Sequence, residues 1–151
     1  MKMNKKGVTL IELIVVMVII GIGAVLFTPN ISGWMRSYRL RSATRDIVST
    51  MRTAQMKAVS TNTIYRVSFT LPVSYVLQYQ DAGGNFVTDG ATQSLPSGIS
   101  ISAINIAGNN AVFNPNSTSS SGSITLQNIK TQRQLTLTPS TGRVTISQPG
   151  E

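Results

Sequence analysis

Glu12 is the only acidic side chain in the first 45 residues, and it lies inside an apolar run. From Val8 to Phe27 only Thr9 and Glu12 are clearly polar. A carboxylate at the centre of a bilayer costs about 2.5–3.5 kcal/mol, and less near a helix end. Such a group needs a cationic partner, so the chemistry it offers is charge pairing. Catalysis is not expected elsewhere in the chain. The sequence holds no Cys and no His, which removes thiolate and imidazole ligands and the commonest general base. The other acids, Asp46, Asp81, Asp89 and Glu151, are scattered, and nothing pairs two of them as acid and base. No metal or other cofactor is implied.

The element that carries Glu12 is a helix. About 20 apolar residues reach roughly 30 Å, the thickness of a bilayer core. Lys5 and Lys6 precede the run, so the short N-terminus is expected to stay cytoplasmic while the rest crosses. An ordinary secretory signal has a shorter apolar stretch and a small-x-small cleavage site. A plain anchor explains the length but not Gly7 followed five residues later by Glu12.

Lys5-Lys6-Gly7 followed by Val8-Thr9-Leu10-Ile11-Glu12 resembles the class III signal of type IV pilins and type II secretion pseudopilins. The resemblance implies that a prepilin peptidase cuts the Gly7–Val8 bond and methylates the new amine. Gly7 has no side chain to obstruct that cut. Val8 stands where the family mostly has Phe, and methylation acts on backbone nitrogen. Glu12 becomes the fifth residue of the mature chain. In the family that glutamate meets the N-terminal ammonium of a neighbouring subunit, a group of reference pKa about 8. Residues 1–7 are then a cleaved leader. Loss of Lys2, Lys5 and Lys6 from a formal charge of +8 leaves ten of thirteen basic side chains against five acids. That moderate excess permits acidic partners without requiring them.

Residues 8–29 are read as the transmembrane and filament-core helix, with Gly21 and Gly23 weakening it and Pro29 kinking it. Residues 30–60 continue as an amphipathic half. Its apolar positions Ile31, Trp34, Met35, Tyr38, Ile47, Met51, Ala54 and Ala58 follow a near-helical period. Arg36, Arg39, Arg45 and Arg52 fall largely on other faces. The basic segment Arg36 to Lys57 is read as a solvated face with side chains snorkelling toward lipid head groups, in preference to a nucleic-acid or membrane-surface patch.

From Thr61 the period becomes two. Tyr65, Val67, Phe69 and Leu71 alternate with polar residues, and Val73, Tyr75, Leu77 and Tyr79 repeat the pattern after Pro72. Asp81 to Asn85 is a turn by composition, leading to a short Phe86-Val87 strand. Ile99 and Ile101 run in one phase and Ile104 and Ile106 in the other, which predicts a bulge near Ala103. Ala111 to Phe113 is a strand and Asn114 to Ser123 a loop. Ile124 and Leu126 form the next strand. Leu135 and Leu137, then Val144 and Ile146, are hairpin arms around Pro139-Ser140-Thr141-Gly142. Residues 61–151 are therefore an antiparallel β-domain, and the fold class is α+β: a long N-terminal helix packed on it, as the pilin resemblance also implies.

Two further motifs resemble the H-type branch, which groups type II secretion minor pseudopilins with FimT-like and FimU-like minor pilins. They are Phe113-Asn114-Pro115 followed by the strand start Gly122-Ser123-Ile124, and the hairpin ending on Gly142-Arg143. Asn116 stands where Gly often follows the Phe-x-Pro. The branch implies a minor pseudopilin, or related type IV pilin, in the bacterial inner membrane with its β-domain in the periplasm. Its partners would be prepilin peptidase and other pseudopilins or pilins. The alternative is a FimT-like minor pilin binding DNA in natural transformation through a Gly-Arg-x-Arg stretch. Here that stretch reads Gly142, Arg143, Val144 and Thr145. Arg143 is the one matching DNA contact, and one phosphate-pairing charge binds weakly at physiological salt, so DNA is not the favoured partner.

Overall fold

The computed structural model describes residues 7–27 and 31–148. Its contacts divide the chain into two units, Met1–Met35 and Arg36–Glu151. The first contains helix α1, Leu10–Phe27, whose large apolar side chains from Leu10 to Ile22 are all exposed. A helix that is apolar on every face has no stripe to bury against a domain core and needs a surround of lipid or other helices. Val8 and Thr9, expected inside the helix, lie before it. Among the described residues no helix is long and apolar enough to cross a membrane. The 18 residues of α1 rise about 27 Å, a little short of a bilayer core. The leader lysines Lys5 and Lys6 and the predicted kink at Pro29 lie outside the described residues.

Helix α2 spans Ile31–Thr61. Within the second unit it buries Leu40, Ala43, Thr44, Ile47, Val48, Met51, Ala54 and Ala58, a stripe stepping by three or four residues as a 3.6-residue turn requires. Here the expected stripe needs correcting. Trp34, Met35 and Tyr38 are exposed, while Leu40 and Ala43 are buried instead. Tyr38 lies nine residues before Ile47, about two and a half turns, which puts it on the opposite face. Thr44 tolerates burial because its hydroxyl donates to the Leu40 carbonyl at 2.7 Å.

Among the described residues nine strands follow: β1 Tyr65–Thr70, β2 Ser74–Gln80, β3 Phe86–Thr88, β4 Gln93–Ser94, β5 Ser100–Asn105, β6 Asn110–Phe113, β7 Gly122–Gln127, β8 Gln132–Thr138 and β9 Arg143–Ser147. All pairings are antiparallel. One sheet has the order β3-β2-β1-β6, with β4 also on β2, and the other has the order β5-β7-β8-β9. Tyr65, Val67 and Phe69 of β1 are buried beside the α2 stripe residues in one core, with Phe113, Ile124, Leu126, Leu135 and Leu137. Leu71 and Val73, read as strand ends, instead form an exposed turn between β1 and β2. The predicted bulge is present: the β5–β7 register slips between Ile101 and Ala103, so both isoleucine phases are accommodated.

Lys57 on α2 pairs with Asp89 after β3 at 2.8 Å. The hydrogen bond to Asp89 raises the Lys57 ammonium above its ordinary value, against a smaller desolvation effect. Stability linked to this shift is fully present below the unfolded lysine pKa and is lost only as pH rises through the raised folded value. It is therefore constant across the physiological range.

Gly122, the first residue of β7, has φ +142°, and a Cβ there would run into the Asn105 carbonyl oxygen and Ile106. Gly122→Ala combines backbone strain with overpacking against main chain, about 3 kcal/mol in all, and lowers the melting temperature by roughly 10 °C. Gly83→Ala serves as the control. Its Cβ meets only side-chain ends, Asn85 at 3.2 Å and Asp81 at 3.3 Å, without backbone strain, and its change stays within about 0.5 kcal/mol. Equal melting temperatures for the two variants would refute this account of β7.

Candidate functional site

Two regions hold the residues singled out by sequence. The first is the start of α1. Thr9 caps the helix: its Oγ1 accepts from the Glu12 backbone N–H at 3.3 Å, and its carbonyl accepts from Glu12 and Leu13. Thr9-x-x-Glu12 has the pattern of a capping box, a signal that the reading of charge alone passed over. The cap fixes the first turn and leaves the Glu12 side chain exposed among apolar neighbours. The positive end of the helix dipole favours a carboxylate at this position. Among the described residues the one ion pair is Lys57–Asp89, so Glu12 finds no cation there. Gly7 and Val8 precede the helix in a non-helical segment, with open space around Gly7.

The second region is the β8–β9 hairpin. Gly142 has φ +61°, and an added Cβ would meet the Gln55 side-chain amide and the Ser117 carbonyl. Gln55 on α2 donates to the Thr141 carbonyl at 2.9 Å and to the Ser117 carbonyl at 3.4 Å. Gly142 is thus where helix, hairpin and the loop after Phe113 converge, and packing accounts for it. Asn116 organises that loop, its Oδ1 accepting from the backbone and hydroxyl of Thr118.

Arg143 is exposed and pairs across the ladder with Thr138. Arg133 is five residues back along β8, about 17 Å away, and shares the parity of the inward-facing Leu135 and Leu137. Arg143 and Arg133 therefore belong to opposite faces, and Lys130 lies in the turn at the other end of β8. The structure does not gather these three charges into one cradle. No group of three or more His, Cys, Asp or Glu that could hold a metal occurs among the described residues.

The fold and the capped apolar helix define a pilin-like protein: a long N-terminal helix followed by antiparallel β-sheets. The chain resembles the minor pseudopilin EpsH from the type 2 secretion system of Vibrio cholerae, with a TM-score of 0.64 at 9% identity over 75% of this chain and 99% of that one. It also resembles the type IV minor pilin FimU of Pseudomonas aeruginosa, with a TM-score of 0.59 at 13% identity over 78% and 95%. No curated protein matches the sequence significantly. A prokaryotic N-terminal methylation motif matches residues 2–28, and the family of type II transport protein GspH matches residues 43–148. The chain belongs to the GspH family.

Proposed function

We propose that this chain is a minor pseudopilin of a type II secretion pseudopilus, or the equivalent minor subunit of a type IV pilus. It is made as an inner-membrane precursor with its β-domain in the periplasm. Prepilin peptidase cuts it after Gly7, and it enters a filament through α1. The observation that carries the reading is α1 itself, apolar on every side with one carboxylate in a capped first turn, on a chain of the GspH family. In the precursor the apolar run from Val8 lies in lipid, where Val8 and Thr9 add the length that α1 lacks. In the filament the same surface packs on neighbouring helices, and Glu12 pairs with the methylated amine of another subunit. Its role is assembly, so no step of chemistry is assigned to the chain.

Processing tests the first step. Gly7→Leu places a bulky side chain at the scissile bond and leaves an uncleaved precursor in the inner membrane, heavier by the leader on a gel. Cleavage of this variant at the wild-type rate would remove the signal assignment. DNA capture predicts something different for the folded protein. Under the assembly reading DNA binding is weak and largely gone by about 200 mM salt, and Arg143→Ala lowers it no more than Arg133→Ala does. A gel-shift titration showing salt-resistant binding that collapses only with Arg143→Ala would establish DNA capture instead.

A further inference from the structure

Three segments meet at the end of the β-domain where α2 enters it. Asn128, in the β7–β8 turn, donates from Nδ2 to the Arg36 carbonyl at 3.3 Å. The Arg39 guanidinium reaches the Ser97 hydroxyl at 3.3 Å in the loop between β4 and β5. That loop and the start of β5 are tied in turn to the β1–β2 turn: Leu95 N–H donates to the Val73 carbonyl at 2.7 Å, and Ile101 N–H of β5 donates to the Pro72 carbonyl at 2.9 Å. The tips are apolar and unburied: Ile129 is 84% exposed, and Leu71 and Val73 are exposed as well.

The charges at this end are of one sign. Arg36 and Arg39 stand on α2 where it meets these segments, and Lys130 follows Ile129 in the β7–β8 turn. Among the described residues two acids are elsewhere: Asp81 is in the β2–β3 turn at the opposite end of the strands, and Asp89 is paired with Lys57. The nearest acid is Asp46, two turns beyond Arg39 on the same face of α2 and beside Tyr75 of β2, and Glu151 is outside the described residues. The chain also limits where this end can go. Arg36 follows Phe27 by nine residues, which can span no more than about 30 Å.

We propose that this end of the β-domain docks on an anionic lipid headgroup surface while the chain is held as a precursor. The proposal rests on the membrane-held precursor described above. Ile129, Leu71 and Val73 enter the interfacial layer, and Arg36, Arg39 and Lys130 sit among the headgroups. A few apolar tips combined with basic residues make a reversible surface attachment, and each basic residue near an anionic surface strengthens it about fivefold. Docking would park the β-domain against the membrane until the subunit is extracted into a filament.

Because the chain has no native cysteine, single labels are clean. The full chain with Ile129→Cys, or with Asp81→Cys as the distal control, is labelled with a fluorophore and reconstituted into vesicles bearing a headgroup-attached quencher. With phosphatidylglycerol mixed into phosphatidylcholine, quenching at position 129 exceeds that at position 81 about fivefold or more. It falls to the level at position 81 in phosphatidylcholine alone, at high salt, or when Arg36→Gln and Lys130→Gln are added. Equal quenching at 129 in both lipids would mean that the tether alone brings it close, and would overturn the proposal. So would quenching that tracks protein density at fixed lipid composition, which would mark contact with a second copy. Flotation of the same vesicles separates the two failures. A chain that does not float overturns the precursor reading and docking together, whereas one that floats without phosphatidylglycerol-dependent quenching overturns docking alone.

Discussion

Glu12→Leu leaves the chain in the membrane fraction and cleaved after Gly7, yet absent from sheared filaments. The three effects separate because they depend on different chemistry. Insertion improves, since leucine removes a cost of up to about 3 kcal/mol for a carboxylate in lipid. Cleavage persists, since the proposed scissile bond, Gly7–Val8, lies outside α1 and keeps its sequence. On the proposed pairing, assembly fails, since the ammonium of the adjoining subunit is stranded in an apolar surround. Breaking a buried pair from one side costs about 3–5 kcal/mol, a loss of incorporation above about a hundredfold. Thr9→Ala is the informative comparison. It removes the helix cap, worth about 1 kcal/mol, but keeps the charge, so its effect on incorporation is about tenfold at most. Quantitative blots of sheared filaments against membrane fractions measure all three variants. If Glu12→Leu enters filaments as well as wild type, or no worse than Thr9→Ala, charge pairing does not set the register of assembly.

What could be read from sequence follows the range of the interactions involved. The change of period after Thr61 is local, and it locates β1 and β2 to within a residue or two. The bulge at Ile101 and Ala103 was legible because a phase error between isoleucines has few other remedies. The hairpin around Gly142 was legible as a turn, but its dependence on Gln55 was not, because that contact joins residues 86 apart. The division into two sheets was also hidden. β6 pairs with β1 rather than with its predecessor β5, and short apolar strands carry no label of their partner. On α2 the apolar residues before Leu40 misled the reading, since composition gives a stripe but not its phase relative to the sheets. Gly7 and Glu12 were singled out through a resemblance and their proposed roles rest on it, whereas Thr9, whose hydroxyl accepts from the Glu12 backbone N–H, was passed over because its contribution is hydrogen-bond geometry.

A fragment beginning at Ile31 unfolds cooperatively on heating, whereas one beginning at Thr61 shows no transition. The difference lies in what α2 covers. Leu40, Ile47, Val48 and Met51 are buried in the same core as Val67, Phe113, Leu126 and Leu135. Burying a side chain of this size stabilises by about 1.5–3 kcal/mol, so these four alone supply an amount comparable to the whole stability of a small domain, about 5–15 kcal/mol. Without the helix, the inner faces of both sheets lie open to water, and the shorter fragment is expected to be aggregation-prone as well as unfolded. Removing the residues before Ile31 has no such effect, because the exposed apolar surface of α1 contributes nothing to this core. Circular dichroism melts of the two fragments, with Met51→Ala in the longer one as an intermediate case losing about 2–5 kcal/mol, give a graded series. A cooperative melt from the Thr61 fragment would mean that the two sheets close a core between themselves, and that α2 serves assembly alone.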